Sequence, residues 1–255
     1  MPASFSITPV GAFTDNYIWV LRQGARAVAV DPGEAAPLMD YLAAENLQLE
    51  AILITHHHGD HCGGVAELAQ AWPDALVYGP IGLAGITCPV SENDSVTLSM
   101  GTAKVLAVPG HTLDHLAYHI EGHLFCGDTM FAAGCGRLFE GTPRQMLDSL
   151  KKLAALPPET KVYPAHEYTL SNLRFALAAD PANPVLSMRM SRDTALRERG
   201  QATLPSTIAL EIASNPFLRS GVPAIRASLL QQGGRPDDDE TACFARLRAW
   251  KNDFR

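Results

Sequence analysis

Short apolar runs separated by turn residues fill the first two thirds of the chain, and this pattern predicts an α/β arrangement with many short strands. Asn16–Gln23 and Arg26–Asp31 are rich in β-forming residues and flank Gly24, which is typical of a hairpin. The apolar run Leu49–Thr55 predicts a buried strand. We expect further strands at Ala75–Tyr78, Val96–Leu98, Lys104–Val108, Leu116–Ile120, His123–Cys126 and Lys161–Tyr163. Helical periodicity predicts helices at Glu34–Glu45, Val65–Trp72 and Thr142–Leu156.

The pattern changes after Glu167, where strand signals end and helical periodicity follows. Helix-breaking pairs punctuate this part of the chain at Asp180-Pro181, Asn215-Pro216 and Gly233-Gly234. The helices predicted there are Tyr168–Ala179, Val185–Arg199, Ser206–Ser214, Val222–Gln232 and Asp239–Trp250. We therefore expect a domain boundary near residue 170, with an α/β domain at 1–170 and an all-helical domain at 171–255.

Composition places the chain among ordinary globular proteins. Apolar residues make up 47% and charged residues 18% of the 255 residues, which suits one large domain or one domain with a small second one. No apolar run approaches the roughly 20 residues of a membrane span, and the first residues lack the basic and apolar segments of a signal peptide. The five cysteines follow no disulfide pattern. We expect a cytoplasmic protein with no membrane partner.

Charge is distributed unevenly along the chain. Residues 1–173 carry 8 Lys and Arg against 18 Asp and Glu, a net charge of -10. Residues 174–255 carry 12 against 9, a net charge of +3, and 11 of those 12 cations are arginine. An overall charge of -7 argues against a broad basic surface and therefore against a nucleic-acid partner. The arginines fit either a local anion site or scattered, solvated side chains.

The densest chemistry of the chain lies directly after the strand Leu49–Thr55. Four histidines and one aspartate occupy six consecutive positions there: His56, His57, His58, Asp60 and His61. Imidazole nitrogen and carboxylate oxygen are the ligands that first-row metals such as zinc and iron accept. A polar histidine loop without metal is the alternative, but so dense a cluster favours a metal site.

Three further candidate ligands also follow predicted strands. His111 stands in a Pro-Gly-His-Thr sequence, Asp128 in Gly-Asp-Thr and His166 in Ala-His-Glu. Loops on a rigid core are where catalytic metal ligands are usually brought together. We therefore expect His111, Asp128 and His166 to join the cluster at 56–61.

These motifs resemble those of the metallo-β-lactamase fold superfamily. The resemblance lies in T-H-H-H-G-D-H, P-G-H-T, G-D-T and A-H-E, four separated motifs in the same order. Gly134-Cys135-Gly136-Arg137, Ala165–Tyr168 and the C-terminal Arg248–Lys251 make the chain similar to the hydroxyacylglutathione hydrolases, the type II glyoxalases. The likeness covers essentially the whole chain. It implies an αββα sandwich of two mixed β-sheets flanked by helices, followed by a C-terminal all-helical domain that completes the substrate site.

The resemblance also implies a dinuclear centre. The first ion would be held by His56, His58 and His111, and the second by Asp60, His61 and His166, with Asp128 bridging both. The metals would be two divalent ions per chain, zinc above iron or manganese, since all three accept such a ligand set. A hydroxide between the ions would attack the substrate, which makes Asp60 and Asp128 the catalytic carboxylates.

The substrate implied by the resemblance is a glutathione thioester. The family converts S-D-lactoylglutathione to D-lactate and glutathione, the second step of methylglyoxal detoxification. Arg248 and Lys251 match the cations that anchor the glycine carboxylate of glutathione, and Arg137 and Tyr168 match contacts to its peptide backbone. Phe139 stands where some relatives have a hydroxyl-bearing tyrosine. We expect a monomer that has no partner besides this substrate.

The remaining candidates receive structural roles. We expect His57 to support the metal loop rather than bind metal, and Asp31 to orient a ligand. His119 and His123 read as surface or packing residues, while His115 is open between orienting the site and packing. Cys62 reads as a packing residue, and Cys135 has no evident histidine partner for a thiol mechanism. The rival functions are a persulfide dioxygenase, a β-lactamase or lactonase, and a metal-binding protein without catalysis.

Overall fold

The computed structural model describes residues 5–254 and divides the chain into two compact units. The first unit comprises residues up to 107 together with 114–127, and the second comprises 108–113 together with the residues from 128 onward. The first unit therefore contains the loop at 56–61. The second contains His111, Asp128, His166 and the C-terminal helices.

The first unit begins with a six-stranded mixed sheet in the order β1-β2-β3-β4-β5-β6. Its strands are β1 Ser6–Ala12, β2 Asn16–Gln23, β3 Arg26–Val30, β4 Gln48–Leu53, β5 Leu76–Gly79 and β6 Cys88–Pro89. The first three are antiparallel, and β3 to β6 run parallel. No strand was predicted at β1, because this edge strand contains Pro9 and Gly11 and therefore lacks a continuous β signal.

Helices of the first unit cover one face of this sheet. They are α1 Ala35–Ala44, the single turn α2 Gly59–Cys62 and α3 Val65–Ala71. The side chains of Leu38, Leu42 and Leu68 are fully buried in one apolar cluster with alternate residues of the strands. Alternation places the other residues of each strand on the opposite face, where Trp19, Leu21 and others are also buried. The sheet is therefore covered on both faces.

A second, antiparallel group of strands completes the first unit. It consists of β7 Ser95–Leu98, β8 Gly101–Ala107, β9 Leu116–Ile120 and β10 His123–Gly127. Tyr118 on β9 is fully buried and donates its hydroxyl to the carbonyl of Ile54 at 2.8 Å, just before the histidine loop. The hydrogen bond from Leu116 N–H to Thr55 O adds a second tie at 2.8 Å. These contacts fix the start of the loop against β9.

The second unit is mainly helical. Its helices are α4 Pro143–Ala154, α5 Thr169–Ala179, α6 Pro184–Glu198, α7 Ile208–Ser214, α8 Pro223–Gln231 and α9 Glu240–Asp253. Its strands are β11 Met130–Phe131, β12 Gly134–Cys135, β13 Lys161–Pro164 and β14 Ser206–Thr207. All eight helices predicted from the periodicity are confirmed to within three residues at each end. No helix among residues 5–254 is long and apolar enough to cross a membrane.

One prediction for the helical region is wrong. Strand signals do not end at Glu167, because Ser206 and Thr207 form β14 and pair with Val162 and Lys161 of β13. The sequence predicted a helix from Ser206, but Thr207 is the helix N-cap, with an extended backbone at φ -135° and its Oγ1 accepting from Leu210 N–H. Because the N-cap residue is extended, Thr207 and the preceding Ser206 can pair with β13 as a short strand.

Candidate metal centre

The loop after β4 brings its ligands together within the first unit. His56 Nε2 lies 3.0 Å from His58 Nδ1, and the rings of His56 and His61 are 4.1 Å apart. His61 Nε2 lies 3.6 Å from Asp60 Oδ2. His56 and His61 are fully buried, while His58 and Asp60 are half-buried. The one-turn helix α2 carries Asp60 and His61 on successive positions, so that a six-residue segment presents four ligand side chains.

Asp31 holds this loop through three hydrogen bonds. Its carboxylate accepts the N–H of Thr55 at 2.8 Å and the Thr55 hydroxyl at 2.7 Å, and it lies 3.0 Å from His61 Nδ1. A proton on Nδ1 therefore points at the carboxylate, and Nε2 is the nitrogen of this ring that suits a metal ion. Asp31 has a positive φ of 52°, a conformation that aspartate tolerates better than most residues. These contacts are those expected of a residue that orients a ligand.

Two other residues support the loop. The sequence pattern did not mark the first, Asn16, and left the role of the second, His115, open. The Asn16 amide donates to Asp60 at its main-chain oxygen, 3.2 Å away, and at Oδ2, 3.3 Å away. His115 is fully buried and its ring stacks on that of His56, with centroids 4.5 Å apart and planes 15° apart. Asn16 begins a predicted strand, so nothing in the pattern marked it. His115 was left open, and the stacking favours its role in orienting His56.

His57 and Cys62 lie at the edge of this cluster. His57 Nδ1 is 3.0 Å from Asp114 Oδ1, so the ring pairs with a carboxylate. The Cys62 thiol donates to the main-chain oxygen of His57 at 3.4 Å and packs against the apolar cluster of the first sheet. Burial, followed by the nearby Asp31 and Asp60, raises the pKa of Cys62. A raised thiol pKa suits a packing residue better than a thiolate ligand.

The second unit assembles its ligands around Asp128. Asp128 Oδ2 lies 3.4 Å from His111 Nε2, and Oδ1 lies 3.3 Å from His166 Nε2. All three side chains are buried. Asp128 follows β10 and His166 follows β13, at strand ends as the sequence predicts. One carboxylate that faces an imidazole with each of its oxygens is suited to bridging two ligand sets.

The segment after Asp128 orients His111. His111 Nδ1 is 2.8 Å from the main-chain oxygen of Arg137, so this nitrogen carries the proton and Nε2 faces Asp128. Gly136 allows this segment to pack closely against Asp128, because a Cβ at that position would lie 2.0 Å from the Asp128 main-chain oxygen. On the other side, the Tyr168 ring stacks on His166 with centroids 4.7 Å apart and planes 5° apart.

The second unit also contains a cluster of cations. Burial lowers the pKa of Lys251, and Arg248, Arg174 and Arg137 lower it further. Among residues 5–254, neither Arg248 nor Lys251 forms an ion pair with a carboxylate. Arg248 is only 6% exposed, with its Nη1 donating to Cys135 O at 2.7 Å and its guanidinium over the Phe217 ring. Arg248 is therefore a built-in, buried cation rather than part of an exposed basic face.

Cys135 is not poised as a nucleophile. Burial raises its pKa to about 11, despite the opposing effect of Arg248. The thiol therefore stays protonated near neutral pH, and the reactive form of a cysteine is the thiolate. The exposed Phe139 ring lies 5.2 Å from the His111 ring, where a tyrosine would carry a hydroxyl.

The donor set fits divalent metal ions. Each unit presents imidazole nitrogens together with a carboxylate, the N/O ligands that zinc, iron and manganese accept. In each unit a second residue fixes one ligand imidazole through its Nδ1, namely Asp31 and the Arg137 carbonyl. Such outer contacts are typical of metal-binding histidines.

Known families match nearly the whole chain. Residues 12–85 and 89–166 match the metallo-beta-lactamase superfamily, and residues 167–254 match the family described as hydroxyacylglutathione hydrolase C-terminus. A hydroxyacylglutathione hydrolase of Cupriavidus taiwanensis is 53% identical over 98% of this chain and 99% of that protein. One of Dechloromonas aromatica is 51% identical over 97% and 99%.

Solved structures with the same fold include ETHE1 from Myxococcus xanthus, with a TM-score of 0.65 and 23% identity over 99% of this chain and 100% of that one. TTHA1623 in a di-iron-bound form has a TM-score of 0.58 and 28% identity over 84% of this chain and 100% of that one. The predicted fold class, two mixed β-sheets flanked by helices with a C-terminal helical region, is confirmed.

Proposed function

Because the chain belongs to the hydroxyacylglutathione hydrolase family of the metallo-β-lactamase superfamily, we propose that it hydrolyses S-(2-hydroxyacyl)glutathione thioesters. It is a metal-dependent thioester hydrolase, and S-D-lactoylglutathione is its representative substrate, with D-lactate and glutathione as the products. This reaction is the second step of methylglyoxal detoxification.

The metal ligands form two sets that share one carboxylate. His56, His58 and His111 would hold the first ion, and Asp60, His61 and His166 would hold the second. Asp128 would serve both ions. Support comes from the clustering within each unit: His56, His58, Asp60 and His61 lie close together in the first, and His111 and His166 both face Asp128 in the second. We propose two divalent ions per chain, most favourably zinc, with iron and manganese as alternatives.

When bound, the ions act as Lewis acids toward water and toward the thioester carbonyl. The protein contributes orientation and proton placement. Asp31 and the Arg137 carbonyl hold protons on Nδ1 of His61 and His111, so that both rings present Nε2. Asp60 and Asp128 are the proposed catalytic carboxylates. Cys135 stays protonated and does not act as a nucleophile.

A single observation carries the substrate assignment: the second unit holds a buried arginine and a lysine of lowered pKa among further arginines. Within residues 5–254, Arg248 and Lys251 form no ion pair with a carboxylate, and two such cations near further arginines favour a bound anion. Glutathione carries two carboxylates. Arg248 and Lys251 hold the glycine carboxylate. Arg137 and Tyr168 contact the peptide part, and Phe139 supplies apolar contact in place of a hydroxyl.

The test measures release of glutathione from S-D-lactoylglutathione beside oxygen uptake with glutathione persulfide. We expect thioester hydrolysis without oxygen uptake, and loss of hydrolysis after treatment with a chelator. Oxygen uptake in place of hydrolysis would favour a dioxygenase. A protein that binds metal but is inactive on both substrates, and on a β-lactam and a lactone, would be a binding protein only.

Metal stoichiometry is a separate prediction of this proposal. Seven ligands with a shared Asp128 should hold two ions per chain, which elemental analysis of active protein purified without added metal would count. A firm maximum of one ion in fully active protein would exclude the dinuclear centre, and the same measurement identifies the metal.

The organisation of the chain follows from the same proposal. Residues 1–170 form the catalytic domain and 171–255 the helical substrate-binding domain. We propose a cytoplasmic monomer whose partner is the glutathione thioester, without nucleic acid or membrane. Size-exclusion chromatography with light scattering checks the monomer.

A further inference from the structure

The two-residue turn between β11 and β12 is held by side chains rather than by its own strands alone. β11 and β12 pair Met130 with Cys135 and Phe131 with Gly134, which leaves Ala132 and Ala133 at the turn. Ala133 has a positive φ of 54°, a left-handed conformation that costs a non-glycine residue free energy. It is also fully buried, in an apolar cluster with Leu173 and Leu186 of α5 and α6. Such a turn persists only when its surroundings hold it.

Glu211 of α7 and Asn215, the C-cap residue of that helix, supply much of the support for the turn. Glu211 Oε2 accepts the Ala133 N–H at 2.8 Å. The Asn215 amide donates to the main-chain oxygens of Phe131 and Gly134, at 3.2 and 2.8 Å, and to Glu211 Oε2 at 3.0 Å. Both side chains are fully buried. Two more helices contribute: Asn172 of α5 donates to Ala132 O at 3.2 Å, and Arg248 of α9 donates to Cys135 O.

The other oxygen of Glu211 is fixed by a buried cation. Arg189 of α6 donates from Nη2 to Glu211 Oε1 at 2.7 Å, and the Ser206 hydroxyl bonds the same oxygen. Arg189 is 3% exposed and also lies 3.5 Å from Asp193 on its own helix. Glu211 therefore connects a buried ion pair to the amide of the strained turn. A carboxylate is needed here, because every neighbour of either oxygen is a donor.

The turn lies between two residues that matter to the metal centre. Asp128 lies two positions before the start of β11, and Arg137, whose main-chain oxygen orients His111, lies two positions after the end of β12. The chain between them is short and fully buried from Asp128 to Gly136. A shift of the turn would therefore move the Asp128 carboxylate and the Arg137 carbonyl together.

We propose that Glu211 is a positioning residue for the metal centre: through Ala133 and Asn215 it sets the turn that places Asp128 and the Arg137 carbonyl. The inference rests on the proposed function, since it assumes that Asp128 and His111 bind metal. Glu211 itself touches neither ligand. The helical region thus contributes to the metal centre as well as to substrate binding.

Two isosteric variants separate positioning from stability. In Glu211→Gln, the amide must turn its NH₂ group toward Arg189 or toward Ala133. The positive charge of Arg189 excludes the first arrangement, so the NH₂ group of the glutamine faces the N–H of Ala133, and two donors meet at the turn. Asp193→Asn is the matched control, because it weakens the other ion pair of the buried Arg189, while Asp193 forms no bond to the turn. Both variants should lower the melting temperature of the metal-free protein to a similar extent.

Three measurements report on the turn and the metal. We expect Glu211→Gln to speed hydrogen exchange of the peptide containing the Ala133 amide and to weaken metal retention against a chelator. Turnover per bound ion should fall about tenfold to a hundredfold, the range for residues that orient ligands. Asp193→Asn should leave exchange at the turn, metal retention and turnover per ion at parental values.

Equal effects of the two variants on retention and turnover would overturn the proposal, because a lost buried ion pair would then suffice as the cause. Faster exchange at Ala133 with parental retention and turnover would overturn it too. If Glu211→Gln does not fold, Asn172→Ala, which removes one bond to Ala132 O, should show the same pattern more weakly, and its absence would refute the proposal. A parent that retains metal but cleaves no thioester would contradict the proposed function alone, since exchange and retention still report on Glu211.

Discussion

The two units bring their candidate metal ligands together in different ways. The first unit takes four ligand side chains from one continuous segment, His56 to His61, on a strand end and a single helical turn. The second takes three from separate segments, at His111, Asp128 and His166. The first set is thus close in sequence before folding begins, whereas the second exists only after distant segments have met. A dense sequence motif can therefore specify the candidate ligands of the first unit, while those of the second unit come together only through the fold.

The means of support differ as well. In the first unit a side chain, Asp31, orients a ligand and ties the loop with three hydrogen bonds. In the second unit a main-chain carbonyl, that of Arg137, orients His111. A side-chain support can be removed by one substitution. A main-chain support fails only when the segment that carries it moves.

Asp128→Ala should have the largest effect on the candidate ligands of the second unit, His111, Asp128 and His166. One residue faces two ligand imidazoles, so its loss disturbs both. We expect turnover to fall at least about a hundredfold, the scale for removal of a main electrostatic element of a site. The reference is His58→Ala, which removes a terminal ligand and should cost less. Steady-state rates and elemental analysis check both, and near-normal turnover of Asp128→Ala with full metal content would contradict the bridging role.

Asp31→Asn tests the side-chain support of the first set. Asparagine tolerates the positive φ of this position. Its single amide oxygen cannot accept all three hydrogen bonds, because the NH₂ group must face either the Thr55 N–H or the Thr55 hydroxyl and His61 Nδ1. We expect metal affinity to fall about tenfold to a hundredfold. Competition with a chromophoric chelator measures this loss. Asp114→Asn is a suitable control, because Asp114 pairs with the non-ligand His57; an equal loss in both variants would argue against a specific role of Asp31.

Sequence patterns predicted most of the framework and the location of the ligands. Periodicity identified the helices, and the histidine motif and strand ends identified the seven candidate ligands, because both signals are local. Asn16 and Glu211 carried no such signal. Their roles depend on partners far away in the chain, Asp60 and Ala133, and a lone polar residue in a strand or helix does not reveal which distant group it meets. The edge strand β1 and the strand β14 were missed because proline, glycine and an N-cap obscure the β pattern.

Lys251→Ala should affect substrate binding and leave the ligands alone. Its ammonium lies 3.4 Å from Ser171 Oγ and reaches no metal ligand in the second unit. Loss of a charge-assisted contact suggests roughly 1.5–3 kcal/mol, or about a tenfold to hundredfold rise in KM, with kcat nearly unchanged. Steady-state kinetics with a glutathione thioester and metal analysis test this.

Arg248→Ala is the informative counterpart. It should raise KM similarly, but the loss of its bond to Cys135 O should also lower kcat, because that bond holds β12. A thioester that lacks the glycine carboxylate should respond little to Lys251→Ala. If KM for the glutathione thioester stays at the parental value in both variants, α9 is not the glutathione anchor.

A smaller effect is expected in the pH dependence of binding. Burial and nearby arginines lower the pKa of Lys251 below 10.5, so its charge is lost at a lower pH than in an exposed lysine. Binding of an anion favours the charged form and raises this pKa, so affinity is full below the pKa of the free protein and falls as pH rises through it. Inhibition by S-hexylglutathione, a stable thioether, should therefore weaken as pH rises, and the loss should begin at a lower pH than the titration of an exposed lysine. Lys251→Arg should flatten the profile, and an unchanged profile would exclude Lys251 as the titrating group.

The division of the chain into units has a consequence for synthesis on the ribosome. Residues 108–113 belong to the second unit although they are followed by a return to the first. When Gly127 has emerged, the first unit is complete in sequence, but His111 has none of the second-unit residues that orient it. Chains fold largely in the order in which they emerge, at about 5–20 residues per second. His111 therefore waits for Arg137, and the helices that hold the turn before Arg137 are synthesised later still. The second unit thus completes the surroundings of His111, Asp128 and His166 only after α9 has emerged.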